Sequence, residues 1–197
     1  MKKIKNNLKK TLEIKNKINL DLINLEKKIN LVVNIIYKKL IQKGKIFLCG
    51  NGGSAADAQH LAAEFLVRLR PKINRHSIPA ISLAMDTSTI TACANDYDFK
   101  YLFSRNLSAL GSKKDILIAI STSGNSENII EVLKYAKKNK IFSVGFLGKT
   151  GGKAIKYCDI NLKVNSNIVA RVQEAHIFLG HYIFEQVENK ILMKNKS

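Results

Sequence analysis

Five short apolar runs, at residues 45–49, 78–84, 115–121, 141–147 and 158–164, alternate along the chain with stretches of helical spacing. Parallel strands need long crossover connections, and helices supply them, so strand alternating with helix implies a parallel sheet covered on both faces. The first run, Ile46-Phe47-Leu48-Cys49 after Lys45, is continuous rather than alternately polar, as expected of a strand buried on both sides. An alanine-rich helix follows the first run, and the later connections carry helical stretches near 88–94, 99–109, 126–139 and 152–156. The expectation is a single α/β domain over residues 1–197, a doubly wound, flavodoxin-like sheet of five parallel strands. Ahead of it, residues 3–18 and 20–43 space Ile4, Leu8 and Leu12, then Leu22, Leu25, Ile29, Val32, Val33, Ile36 and Leu40, as two helices, with Gly44 as the stop. These N-terminal helices hold no obvious catalytic residue and are expected to pack on the sheet or on a neighbouring subunit.

Composition narrows the function. No apolar stretch approaches the length of a membrane span, and the lysine-rich start lacks the apolar core of an export signal, which predicts a soluble cytoplasmic protein with no membrane partner. Cys49, Cys93 and Cys158 are odd in number and dispersed, which fits a reducing compartment and argues against a cysteine metal cluster. A net charge of +18 raises the question of a polyanionic partner. The lysines, however, are scattered among Asn and Ile along the whole chain, as in Lys3-Ile4-Lys5-Asn6-Asn7. That pattern reads as a solvated surface that steers an anionic substrate, with no nucleic acid bound.

Two segments carry chemistry. Residues 49–64 read Cys-Gly-Asn-Gly-Gly-Ser-Ala-Ala-Asp-Ala-Gln-His-Leu-Ala-Ala-Glu, a glycine turn after the first strand followed by a helix with Ser54 as its expected cap. On that helix His60 and Glu64, four residues apart, share a face and can converge on one metal ion. Asp57, one turn earlier, is placed to orient the His60 imidazole. Cys49, ending a core strand, reads as a packed small residue. The second segment, Ser121-Thr122-Ser123-Gly124-Asn125-Ser126, follows the third strand and opens a helix. Hydroxyls, glycine-freed amides and a helix N-terminus bind phosphate without a cationic side chain. Either loop alone is as readily a plain polar turn. Two at equivalent strand ends point to a crevice at the switch point of the sheet.

These motifs, together with Ala94-Asn95-Asp96, Gly151-Gly152-Lys153 and Ala170-Arg171-Val172-Gln173-Glu174-Ala175-His176 with His181, resemble the sugar isomerase (SIS) domain family over nearly the whole chain. The resemblance implies an aldose–ketose isomerase that converts sedoheptulose 7-phosphate to a manno-heptose 7-phosphate, the first step toward nucleotide-activated heptose for bacterial surface glycans. It implies a homotetramer with one zinc per subunit held by His60, Glu64, Gln173 and His181. It further implies substrate contacts from Asn51, Gly52, Gly53, Glu64, Asn95, Asp96, Ser121, Thr122, Ser123, Ser126 and Gln173. Glu64 is then the expected base and His181 its acid–base partner.

Helix geometry constrains that ligand set. Gln173 and His181 lie about 12 Å apart along a helix axis, given a rise of about 1.5 Å per residue. Either they reach a given ion from different subunits, or the helix breaks between them. His176 fits Gln173 better by spacing than His181 does. Relatives with an acidic residue at position 170 differ from this chain, which has Ala170. A sister branch of the family binds the replication initiator without catalysis, and an isomerase of another sugar phosphate is a further alternative. Glu64 together with His181 favours the enzyme.

Overall fold

The computed structural model describes residues 7–84 and 86–194. Five parallel strands, β1 (Ile46–Cys49), β2 (Ala80–Ser82), β3 (Ile116–Ser121), β4 (Phe142–Leu147) and β5 (Ile160–Lys163), form one sheet in the order β2-β1-β3-β4-β5. The order reverses between β1 and β3, whose register pairs Ile46 with Ile116 and Cys49 with Ala119. Loops leaving these two neighbours at their carboxyl ends therefore face each other across the switch point.

The alternation of side chains along each strand divides the core. Ile46, Leu48, Ile116, Ile118, Ile120, Val144 and Phe146 bury one face under α2 (Glu26–Ile41), α3 (Gly53–Leu66) and α7 (Val169–Lys194). Phe47, Cys49, Leu117, Ala119 and Leu147 bury the other under α4 (Thr87–Asp96), α5 (Leu102–Leu110) and α6 (Glu127–Lys138). β1 and β3 are buried at every position, which is why their sequence runs lack alternation and only Ser121, at the carboxyl end of β3, is polar. At the amino ends of the strands the buried carboxylate of Asp115 accepts from the Lys45 amide (2.7 Å) and the Ser112 amide (2.7 Å), which locks β1 to β3.

The two expected N-terminal helices form as α1 (Leu8–Asp21) and α2, joined by the 3₁₀ turn Leu22–Leu25. The expected start at residue 3, with Ile4, lies outside the described residues. Asn7 caps α1 by accepting from the Lys10 amide at 2.9 Å. Ile18 is buried, whereas Leu8, Leu12, Leu20 and Ile23 are exposed. The stretch expected as a helix near 152–156 is a single 3₁₀ turn, Lys153–Lys156, too short to close α-helical bonds.

Candidate active site

The glycine turn departs from expectation at its cap. Gly52, at φ +56°, precedes the first helical residue of α3, and Ser54 lies inside the first turn, buried. A β-carbon on Gly50 would strike the Ser54 backbone, so the chain folds back tightly enough that the cap falls on Gly52. Among the described residues no side chain caps α3, and none caps α6, where Ser126 holds the N-cap position. At α1 and α4, by contrast, Asn7 and Asp86 take a first-turn amide. Two uncapped helix N-termini beside the switch point leave donors and a positive dipole end for an anionic group.

The second loop is held open by backbone packing. The Ser121 hydroxyl accepts from the Gly124 amide (3.0 Å), Ser123 from the Asn125 amide (3.1 Å), and the Asn125 side chain from the Lys153 amide (3.0 Å). Gly124, at φ +65°, lies directly on the Gly151 carbonyl, where a β-carbon has no room. Thr122, Ser123 and Asn125 border a cavity of about 260 Å³ that Lys149 and Ser166 also line. The two loops are tied together by reciprocal amide bonds between Asn51 and Asn128, both 2.8 Å. The Asn51 side chain, expected on the substrate, thus commits one N–H and one acceptor site to the loop bridge and keeps its second N–H. Asn128 escaped the sequence reading. Its signal is an amide side chain, buried on the apolar face of α6 beside Ile129 and Ile130.

Helices α3 and α7 run parallel in nearly constant register. Gly53 lies against the Gln173 amide, Leu61 against Gly180, and Phe65 stacks on Phe184 with ring centroids 3.8 Å apart. Between these contacts His60 and Glu64 meet His181. The two Nε2 atoms are 2.8 Å apart, and Glu64 Oε1 lies 3.2 Å from His60 and 4.0 Å from His181. Both imidazoles stay substantially exposed, while the Glu64 side chain is 17% exposed. Burial, reinforced by His60, holds the His181 imidazole below its ordinary value, with Glu64 pulling the other way.

α7 is unbroken from Val169 to Lys194, so the broken-helix alternative is excluded. Gln173 sits at the glycine turn and His181 at the His60–Glu64 cluster, on different stretches of the helix. His176 goes to neither. It is fully buried against Phe146 and Leu147, neither ring nitrogen has a well-formed hydrogen bond, and burial lowers its pKa to about 4. Asp57 is not hydrogen-bonded to His60. Its Oδ2 is buried without a hydrogen-bond partner among the described residues, and that burial raises the carboxyl, with His60 opposing. Asn95 donates to Asp96 (2.8 Å) at the exposed end of α4, and no hydrogen bond among the described residues links the pair to either loop. Cys49 is fully buried and burial drives its thiol far up, as suits a packed residue.

Two imidazoles and one carboxylate, with donor atoms all within 4.8 Å of one another, are a set that fits a zinc-type ion. Ligands at about 2.1 Å on a tetrahedral ion stand about 3.4 Å apart, within the range these three donors span.

The sequence profile of the SIS domain matches residues 14–148. A phosphoheptose isomerase of Clostridium acetobutylicum is 46% identical over 184 residues, 93% of this chain and 92% of that protein. The structure of a phosphoheptose isomerase from Francisella tularensis matches with a TM-score of 0.88 at 31% identity, covering 92% of this chain and 96% of that one. One from Neisseria gonorrhoeae matches at 0.84 and 36%, covering 91% and 95%. A five-stranded sheet with two phosphate-compatible loops at its switch point is the architecture of an SIS domain, and the chain belongs to that family. Within it, the sequence falls among the phosphoheptose isomerases.

Proposed function

We propose that this chain isomerises sedoheptulose 7-phosphate to D-glycero-D-manno-heptose 7-phosphate, in the cytoplasm, as the first step of nucleotide-activated heptose synthesis. The observation that carries the reading is the convergence of His60, Glu64 and His181 in a chain 46% identical to a phosphoheptose isomerase. Both residues that separate the enzyme from its non-catalytic sister branch, Glu64 and His181, are present and adjacent.

The phosphate is anchored by Ser121, Thr122, Ser123 and Ser126 and by the uncapped start of α6, with Gly52 and Gly53 offering amides across the switch point. Asn95 and Asp96 contact sugar hydroxyls. Anchoring so far from the reacting carbons spends binding energy on orientation of the chain. Glu64 takes the proton from C1 of the ketose and delivers it to C2, through an enediol. His181 moves the hydroxyl proton from O1 to O2, so the protons balance with no net exchange. Oε1 of Glu64 faces both imidazoles, which leaves Oε2 for proton transfer. His60, Glu64, His181 and Gln173 would hold a zinc ion, which would supply Lewis-acid polarisation of the substrate's carbonyl.

Gln173 lies about 12 Å along α7 from His181, so it completes the set of a second copy. The expected assembly is a homotetramer with active sites at subunit interfaces. Exposed Ile23, Phe178 and Tyr182, which line one groove between the N-terminal helices and α7, support an interface along α7. Turnover of sedoheptulose 7-phosphate with and without zinc, beside Glu64→Gln and with native mass spectrometry, tests the reading. A zinc-loaded tetramer with no turnover would move it to the non-catalytic branch or to another sugar phosphate.

A further inference from the structure

Beyond the His60–Glu64–His181 cluster, α3 ends and α7 continues, and a buried ionic network joins them. Glu188, two turns past His181, is fully buried among Phe184 and Val187. Its Oε1 accepts from Arg75 Nε (2.5 Å) and its Oε2 from Arg70 Nε (2.6 Å). The Arg75 side chain is only 3% exposed, and its other nitrogens are also occupied. Nη2 donates to the backbone carbonyl of Glu64 (2.8 Å), and Nη1 to those of Phe65 and His76 (both 3.0 Å). Arg70, partly exposed, also reaches Asn189 Oδ1 at 2.7 Å.

The position of these contacts sets their meaning. α3 ends at Leu66, so the carbonyls of Glu64 and Phe65 belong to the last turn, which lacks intrahelical donors and carries the negative dipole end. One guanidinium takes both carbonyls and, on its remaining edge, a carboxylate of α7. The backbone of Glu64 is therefore bonded through a single side chain to the helix that carries His181. The neighbouring contacts, Leu61 on Gly180 and Phe65 on Phe184, fix the separation of the helices. The hydrophobic contribution of those contacts is non-directional. The guanidinium–carboxylate contact is directional, and planar Arg presents a fork of donors that Lys cannot reproduce.

We infer that Arg75 and Glu188 are positioning residues of the active site, holding α3 and α7 in the axial register that brings His60 and Glu64 against His181. The inference rests on the reading of that cluster as the metal and proton-transfer centre. Neither residue touches the cluster through its side chain, so each acts through the Glu64 backbone and through α7.

The test compares wild type, Arg75→Lys, Glu188→Gln and the double variant Arg75→Met/Glu188→Met. Asp115→Asn, at the amino ends of the strands, serves as a control for stability loss remote from the cluster. Zinc affinity is measured by competition with a chromophoric chelator, alongside thermal unfolding of the metal-free protein and kcat and KM for sedoheptulose 7-phosphate. Outer-shell partners of metal ligands typically contribute about 10- to 100-fold in affinity. Arg75→Lys and Glu188→Gln are expected to weaken zinc by that order and to lower kcat with KM little changed. Replacing a buried ion pair by apolar residues often preserves stability, so the double variant keeps the comparison informative if a single variant does not fold. It leaves no buried charge of the pair unpartnered but takes the Arg75 donors from the Glu64, Phe65 and His76 carbonyls. It should therefore fold, melt somewhat below wild type and bind zinc weakly. Wild-type affinity and kcat in a folded variant overturn the inference. So does a loss of affinity that Asp115→Asn matches at equal melting temperature. A wild-type protein that neither binds zinc nor turns over overturns the functional reading and, with it, this one.

Discussion

Gly180 presents its bare α-carbon to the side chain of Leu61, and a β-carbon there would overlap both methyls of that fully buried leucine. One residue further along α7, His181 meets His60. The close approach of the two helices and the meeting of the two imidazoles are thus one packing event. A valine at 180 is expected to destabilise the protein by about 1–3 kcal/mol, the usual cost of overpacking. Leu61→Ala alone should cost about 2–5 kcal/mol. In the Gly180→Val background it should cost clearly less, because the shortened side chain makes room. Urea denaturation of the four proteins measures the coupling. Additivity within about 0.5 kcal/mol would mean the two residues do not press on one another.

Gly124 offers a separate handle on the phosphate end. Its φ of +65° and its seat on the Gly151 carbonyl leave no room for a side chain, so Gly124→Ala must move the backbone of the Ser121–Ser126 loop. The expected result is a KM raised at least several-fold, weaker competitive inhibition by inorganic phosphate, and a smaller change in kcat. An unchanged KM would place the phosphate elsewhere.

Much of this was legible in the sequence because it is local or periodic. Continuous apolar runs mark strands buried on both faces, and the i,i+4 pair His60–Glu64 needs only a helix to become a site. The helical rise alone separates Gln173 from His181. The errors arise where local pattern competes with tertiary packing. Ser54 looks like a cap, but the fold-back at Gly50 moves that role to Gly52. His176 looks like a partner for Gln173, but α7 turns that face onto Phe146. The Asn51–Asn128 bridge and the Arg75–Glu188 contact join residues far apart in sequence, and no spacing announces them. A carboxylate on the apolar face of α7, after Ile183, Phe184 and Val187, was the one available hint of the latter.

Glu64→Gln separates ligation from proton transfer. The amide oxygen keeps a donor at the position of Oε1, while the group can no longer accept a proton from carbon. Turnover is expected to fall by about 10²- to 10⁴-fold, the usual contribution of a positioned base. Zinc content by elemental analysis should stay near that of wild type. His60→Ala, by contrast, removes a ligand and should lose metal and activity together. Full activity in Glu64→Gln would assign the base to another residue.

His176 is the group through which acid should weaken the fold. Its pKa falls from 6.5 to about 4 because the ring is buried and poorly hydrogen-bonded, so the folded state favours the neutral imidazole. Between those two values the unfolded chain binds a proton that the folded chain does not, so stability rises with pH across that window. The contribution is fully present above about pH 6.5 and is lost as pH falls toward about 4. At about 1.4 kcal/mol per pKa unit the loss is roughly 3 kcal/mol. His176→Leu replaces the ring with an apolar side chain that does not titrate. Its urea midpoint should therefore fall less between pH 7 and pH 4.5 than that of the wild type, whatever its absolute stability. Parallel pH profiles for the two proteins would show that His176 is protonated in the fold or solvated by an opening of α7 away from Phe146.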